Sequence, residues 1–147
     1  MDNVSIRLAN KNDAVKIFEL NEEFNGKGQN TIHHIRELLE INKQEIVCIA
    51  EVNGVIAGFC CAQIIKSVCY SSMHAELTEL FIKESFRRKG LARELIMYVE
   101  DVCLKQYGIC KFQLLTGNDN IPAQKLYGSL GYIVDDEVLL TKEHKDL

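Results

Sequence analysis

The 147-residue sequence has no tryptophan, a single proline and few aromatic residues, which make up 7% of the chain. It has no apolar run near the roughly 18 residues of a membrane-spanning helix; apolar stretches such as 46–50 have the length of a strand. The first residues lack the basic and apolar segments of a signal peptide. We therefore expect a cytoplasmic protein with no membrane partner.

An excess of positive charge is also absent. The chain has 17 Lys and Arg against 21 Asp and Glu, which gives a net charge of −4. Because proteins that bind nucleic acid or anionic membranes need a basic surplus, neither partner is expected. A cationic partner suits this balance better.

The cysteines and histidines do not form a recognisable site. No C-x-x-C pair occurs, and the four histidines do not recur at metal-ligand spacings. The sequence therefore predicts no metal, and the cysteines are interpreted as reduced core thiols, with a nucleophilic cysteine beside a histidine as the alternative. The six cysteines are Cys48, Cys60, Cys61, Cys69, Cys103 and Cys110.

Hydrophobic periodicity predicts mixed α and β structure in the first half of the chain. A strand at residues 5–8 precedes two amphipathic helices, which end near residue 41. Two stretches rich in β-branched residues, at 45–52 and 55–65, are predicted strands. Asn53-Gly54 between them supplies the positive φ that a two-residue hairpin turn needs. A further strand covers 74–82.

The second half alternates between helix and strand. A long amphipathic helix is predicted over 90–107, a strand over 110–115 and a short helix over 121–130. Final strands are predicted at 132–134 and 138–140. Because no repeat or linker interrupts this order, the sequence predicts one domain over residues 1–147, of the α/β class, with about four helices and six to seven strands.

Arg87-Arg88-Lys89-Gly90-Leu91-Ala92 lies where the strand at 74–82 gives way to the long helix. Free amide groups at a helix start, together with the helix dipole, favour an anion such as pyrophosphate. Three cations there oppose the dipole by about 0.3 to 1 kcal/mol each, which indicates a bound anion. The plain alternative is a basic helix start that only aids solubility. G-x-G-x-x-G and the P-loop motif are absent, which disfavours dinucleotide and P-loop sites.

This segment resembles the acyl-CoA pyrophosphate motif, Q/R-x-x-G-x-G/A, of the GNAT N-acetyltransferase superfamily. Asn120 to Tyr127 followed by Gly131-Tyr132 resembles a second motif of that family, N-x-x-A-x-x-L-Y-x-x-x-G-F/Y. The order of elements is similar over essentially the whole chain. The resemblance implies an α+β fold with a mixed, twisted sheet, whose central strands splay apart to admit the pantetheine arm of acetyl-CoA.

The resemblance also implies roles for particular residues. The backbone of Leu80, Phe81 and Ile82 would pair with pantetheine, and the Leu80 amide would donate to the thioester carbonyl. Asn120 would contact the pantetheine or phosphate arm. Tyr127 would bind the cofactor and protonate the departing thiolate, with packing of the short helix as its alternative role. The residues implied to hold pyrophosphate are Arg87, Arg88, Lys89, Gly90, Leu91 and Ala92.

Two glutamates are candidates for the base that deprotonates the acceptor. Glu76 stands where histone-acetylating members keep a glutamate, and Glu79 where members that acetylate small amines often carry an acid. Strand alternation puts them on opposite faces unless a bulge intervenes. Solvated carboxylates and a water relay are the alternatives.

Acidic residues also occur in the segments that shape family acceptor sites. Glu22 and Glu23 in the first helix would attract a cationic small amine, such as a polyamine, an aminoglycoside or an amine metabolite. A solvated helix face is the plain alternative. Two other functions stay open, acetylation of a protein N-terminus or lysine, and acyl-CoA sensing without catalysis. A homodimer is compatible with each.

Overall fold

The computed structural model describes residues 1–145, which contain five strands and four α-helices. The first compact unit runs from Met1 to Leu115, and a second begins at Thr116. The strands are β1 (Val4–Leu8), β2 (Glu45–Val52), β3 (Val55–Ile65), β4 (His74–Ile82) and β5 (Phe112–Leu114). The helices are α1 (Ala14–Asn25), α2 (Ile32–Ile41), α3 (Leu91–Tyr107) and α4 (Ile121–Ser129).

The first unit is built on one mixed sheet with the order β1-β2-β3-β4-β5. Neighbouring strands are antiparallel except β4 and β5, which are parallel. Asn53 and Gly54 have φ of 53° and 82° and form the predicted turn of the β2–β3 hairpin. The predicted bounds of these two strands and of β4 are confirmed.

Helices cover both faces of the sheet. The apolar stripe of α3, which includes Leu95 and Val99, is buried and packs on β2 and β3. On the other face, α1 and α2 pack on side chains of alternate strand positions. This second cluster consists of Ala14, Ile17, Leu20, Ile35, Ile49, Phe59, Cys61 and Phe81.

An ion pair connects the start of α1 to the sheet. Asp13 is the only buried charged residue within 1–145, at 6% exposure. Both of its carboxylate oxygens lie 2.9 Å from the guanidinium of Arg7 in β1, which also contacts Glu51 of β2. Hydrogen bonds from Arg7 are the main reason that the pKa of Asp13 lies below its ordinary value.

The prediction of six to seven strands is wrong, because residues 132–134 and 138–140 form no strand. Both are short runs, separated by three acidic residues, and all their side chains except the half-buried Tyr132 are exposed; Val134 is 95% exposed. A β-branched pattern alone does not make a strand, since the backbone groups need a neighbouring strand to pair with. The α+β class and the four helices are confirmed for the described residues. That residues 1–147 form one domain stays a prediction.

Asp13→Asn should lower the free energy of unfolding by about 2 kcal/mol at neutral pH, because Arg7 loses the more buried of its two carboxylate partners and keeps only Glu51. The folded-state pKa of Asp13 is the lower one, so its stabilisation is present above the unfolded value of about 3.9 and lost as pH falls through the folded value. Urea unfolding should therefore show the difference from wild type shrinking in acid.

The matched control is Asp101→Asn, which breaks the exposed pair between Asp101 and Lys105. Its effect should stay below about 0.5 kcal/mol. A destabilisation by Asp13→Asn that is the same at neutral and acid pH would contradict this account of the ion pair.

Candidate functional site

A β-bulge in β4 decides where the two candidate bases point. Cys61 of β3 pairs with Glu79, whereas the next residue, Ala62, pairs with Leu77, so Thr78 is an extra residue. The hydroxyl of Thr78 donates to the Cys61 carbonyl at 3.4 Å. Because side chains alternate along a strand, one extra residue reverses the alternation. Glu76 and Glu79 therefore lie on the same face of the sheet.

That face is the one covered by α1 and α2, since Cys61, opposite Glu79, belongs to their core cluster. The two carboxylates have different neighbours. Asn25 at the end of α1 lies 3.4 Å from Glu79 through its side-chain nitrogen. Gln113 of β5 donates to Glu76 at 3.2 Å. Both glutamates are half-buried, and thus reachable by a ligand.

A cavity of about 390 Å³ in the first unit is lined by Glu79 but not by Glu76. Glu45, the first residue of β2, also lines it, and so do Asn21, Asn30 and Asn42 from α1, α2 and their flanks. Burial raises the pKa of Glu45, and the charge of Glu79 raises it further. The wall carries acidic and amide groups but no Lys, Arg or His from residues 1–145.

The edge of β4 that faces β5 is partly open. β5 pairs only with Ala75, Glu76 and Leu77, although β4 continues to Ile82. The backbone of 80–82 pairs with β3 on one side, and within 1–145 no strand pairs with it on the other. An extended ligand with amide groups can add at such an edge.

The N-terminus of α3 has no side-chain cap. Its N-cap residue is Gly90, with φ of 78°, whereas Thr31 caps α2 with its side chain. A Cβ atom on Gly90 would have no other atom within 4 Å, so the space beside it is open. The first amide groups of α3 therefore begin at an open surface, and the next residue, Leu91, is buried in the core.

The three cations before α3 have different contacts. Arg87 donates through Nε to the Ile82 carbonyl at 2.8 Å, and its guanidinium lies 5.6 Å from the centre of the Phe81 ring. Lys89 pairs with Asp2 at 2.9 Å. Arg88 is exposed and has a φ of 64°. Arg87 thus connects the turn to the end of β4.

The second unit holds the remaining predicted residues, Asn120 and Tyr127. Asn120 is the N-cap of α4, and its side chain accepts from the Ala123 amide at 3.3 Å. Tyr127 is half-buried, and its ring meets that of Tyr132 edge to face at 6.0 Å between centroids. Within this unit, Asn120 stabilises the helix on which Tyr127 lies.

The acetyltransferase (GNAT) family model matches residues 14–132. The chain belongs to the GNAT acetyltransferase family. An uncharacterized N-acetyltransferase of Chlorobaculum tepidum is 31% identical over 120 residues, 77% of this chain and 68% of that protein. It follows that the chain is an N-acetyltransferase, EC 2.3.1.-.

A further relative and a solved structure of the same fold differ in the acceptor that their names state. The catalytic subunit of the N-terminal acetyltransferase B complex of Arabidopsis thaliana is 34% identical over 68 residues, 46% of this chain and 39% of that protein. The aminoglycoside N-acetyltransferase AAC(6')-Iy in complex with CoA shares the fold, with a TM-score of 0.83 and 24% identity over 97% of this chain and 96% of that one.

GNAT acetyltransferases use acetyl-CoA, and the first unit has features that fit this co-substrate. The uncapped start of α3, the open space beside Gly90 and the nearby arginines suit a pyrophosphate group. The open edge of β4 suits the amides of pantetheine. These features come from the residues of the GNAT motif and from the strand before it.

The predicted acceptor residues Glu22 and Glu23 do not line the cavity of the first unit. The carboxylate of Glu22 accepts from the Gly28 amide at 2.8 Å and so closes the loop after α1, whereas Glu23 is exposed. Asn21 lines the cavity instead. Sequence reasoning missed both Asn21 and Glu45; the one signal for Glu45 was a charged residue that starts an otherwise apolar strand.

The cysteines fit the interpretation as core thiols at four of six positions; Cys69 and Cys110 are exposed. Burial raises the pKa of Cys48 to about 12 and that of Cys103 to about 11, so neither is a ready thiolate. Within residues 1–145, no group of three or more potential ligands is arranged to hold a metal ion. The same residues contain no helix with the length and apolarity of a membrane span.

Proposed function

We propose that the protein transfers the acetyl group of acetyl-CoA to a primary amine of a cationic small molecule, such as a polyamine, an aminoglycoside or an amine metabolite. The observation that carries this proposal is the cavity beside the bulge of β4, whose wall has two carboxylates and no cation from the described residues. An ammonium group is the ligand that such a wall attracts. A homodimer and a cytoplasmic location are part of the same proposal.

The cofactor is assigned to the residues of the first motif and of the strand before it. The amides at the start of α3, with Arg87, Arg88 and Lys89, bind the pyrophosphate, and the backbone of 80–82 pairs with the pantetheine amides. The amide of Leu80 donates to the thioester oxygen as negative charge develops on it. Asn120 contacts the pantetheine or phosphate arm through its side-chain nitrogen, while its oxygen caps α4.

Glu79 is the stronger of the two candidate bases. It lines the cavity, whereas Glu76 does not and is bound to Gln113. The reacting amine must lose a proton before it attacks, and the Glu79 carboxylate accepts that proton directly or through water. Glu76 is then a supporting charge on the same face. Tyr127 protonates the departing thiolate, because a phenol donates without being charged itself.

A second candidate acceptor is the α-amino group of a protein or a lysine side chain. The relative from Arabidopsis thaliana favours it, because its name describes the catalytic subunit of an N-terminal acetyltransferase complex. Acyl-CoA sensing without turnover is a candidate of another class. A thiol-release assay with acetyl-CoA, run against small polyamines, aminoglycosides and peptides, tests all three. Thiol release with peptides alone would overturn the small-molecule proposal, and an absence of thiol release with every amine tested would favour the sensor.

Gly90→Glu should weaken CoA binding far more than Gly90→Gln. Both variants strain the same left-handed backbone and add a side chain of similar size, so they differ in charge alone. A carboxylate beside the pyrophosphate should cost at least about a tenfold further loss of affinity in calorimetric titration. Equal affinities for the two variants would place the pyrophosphate elsewhere.

Tyr127→Phe should lower kcat by about a hundredfold or more, because the thiolate loses its proton donor. Affinity for CoA should change little, since the ring and its packing on Tyr132 are kept. Tyr132→Phe is the matched control and should retain near-normal turnover. A parallel loss of kcat and CoA affinity in Tyr127→Phe would assign Tyr127 to packing.

A further inference from the structure

Glu45 is a half-buried carboxylate in the cavity wall that has no cationic partner among residues 1–145. Its hydrogen bonds come from neutral amides: Gln63 opposite it on β3, and Asn42, whose side-chain nitrogen lies 3.4 Å away. Withdrawing a carboxylate from water costs free energy unless an opposite charge compensates it. Amides alone leave this charge uncompensated.

Glu45 lies on the same face of the sheet as Glu79, at a distance that follows from the strand register. Glu45 pairs with Gln63, and Glu79 pairs with Cys61, which precedes Gln63 by two residues in β3. Two strand spacings of about 4.8 Å and two residues of about 3.4 Å place the two Cα atoms about 12 Å apart. The carboxylates are close enough for the charge of Glu79 to raise the pKa of Glu45, and the separation of their Cα atoms leaves room for two ammonium groups, one at each carboxylate.

The rest of the cavity wall suits a short polyamine. Ile17, Ile35 and Leu38 offer apolar surface to methylene groups. The side-chain oxygen of Asn21 accepts from the Asn25 amide at 2.7 Å and keeps a second acceptor position for an ammonium group. A neutral tail would gain only the apolar contacts, whereas a cationic tail would also compensate the charge of Glu45.

We infer that Glu45 is a specificity-determining residue, which binds a second cationic group of the acceptor while the reacting amine lies at Glu79. The acceptor class is thereby narrowed to amines that carry at least one further positive charge several bonds from the reacting nitrogen. This inference rests on the proposed acetylation of small cationic amines.

The test compares matched acceptors in the thiol-release assay with acetyl-CoA. Each pair has the same chain length and differs in the group at the far end, as in 1,5-diaminopentane and 5-amino-1-pentanol, with shorter and longer pairs beside them. Wild type should prefer the best diamine over its amino alcohol by at least about tenfold in kcat/KM, the effect of one charged contact. Glu45→Gln should abolish that preference by raising KM for the diamine, with kcat little changed.

Two other variants separate this role from general charge and from catalysis. Glu37→Gln on the exposed face of α2 makes the same change in net charge and should keep the preference. Glu79→Gln should lower kcat for both members of a pair. The melting temperature of Glu45→Gln should equal or exceed that of wild type, because an uncompensated charge is removed.

The outcomes of this experiment distinguish a failure of the role of Glu45 from a failure of the proposed function. The role of Glu45 is overturned if wild type turns over both members of every pair with no preference for the diamine, or if Glu45→Gln keeps the preference of wild type. Either result leaves the proposed function intact. No turnover of any amine, with CoA still bound, overturns the proposed function and this inference together. A fall in melting temperature with equal loss on both acceptors makes Glu45 a structural residue.

Discussion

A β-bulge at Thr78 controls which side chains of β4 lie on the sheet face covered by α1 and α2. If Thr78 occupied a regular strand position instead of a bulge, alternation from Glu79 would turn Glu76 to the face covered by α3, where the core is apolar. The bulge keeps both carboxylates on the face of α1 and α2, and it leaves Phe81 in the core cluster of that face. The guanidinium of Arg87 lies near the Phe81 ring, so the same strand connects the cavity to the turn that begins α3.

The two inward-facing carboxylates Asp13 and Glu45 differ in the partners that the chain provides for them. Asp13 is compensated by two hydrogen bonds from Arg7, and this pair fastens the start of α1 to the sheet. Glu45 receives only amide hydrogen bonds. A buried charge that is paired within the chain supports folding, whereas an unpaired one lowers stability. Such a loss of stability is common for groups that bind a ligand.

Local sequence was sufficient to predict much of the fold. Asn53-Gly54 located the hairpin, and Gly90 and Gly108 bounded the long helix. The strand register could not be predicted from local sequence, because no particular residue type marks the extra residue of a β-bulge. The final strands were predicted wrongly at 132–134 and 138–140, where apolar pattern was present but pairing was not.

The candidate site was predictable to the extent that its parts lie close together in sequence. The turn from Arg87 to Ala92 is one continuous segment, so its chemistry could be proposed from six residues and the structure adds the open space beside Gly90. The cavity wall is assembled from Asn21, Glu45 and Glu79, which three separate elements contribute. Their meeting depends on strand register and on helix packing, so an acceptor site of this kind becomes visible only when the chain is folded. Glu22, one residue from Asn21, illustrates the limit: helix geometry turns its carboxylate to the loop amide of Gly28, and the amide side chain beside it lines the cavity.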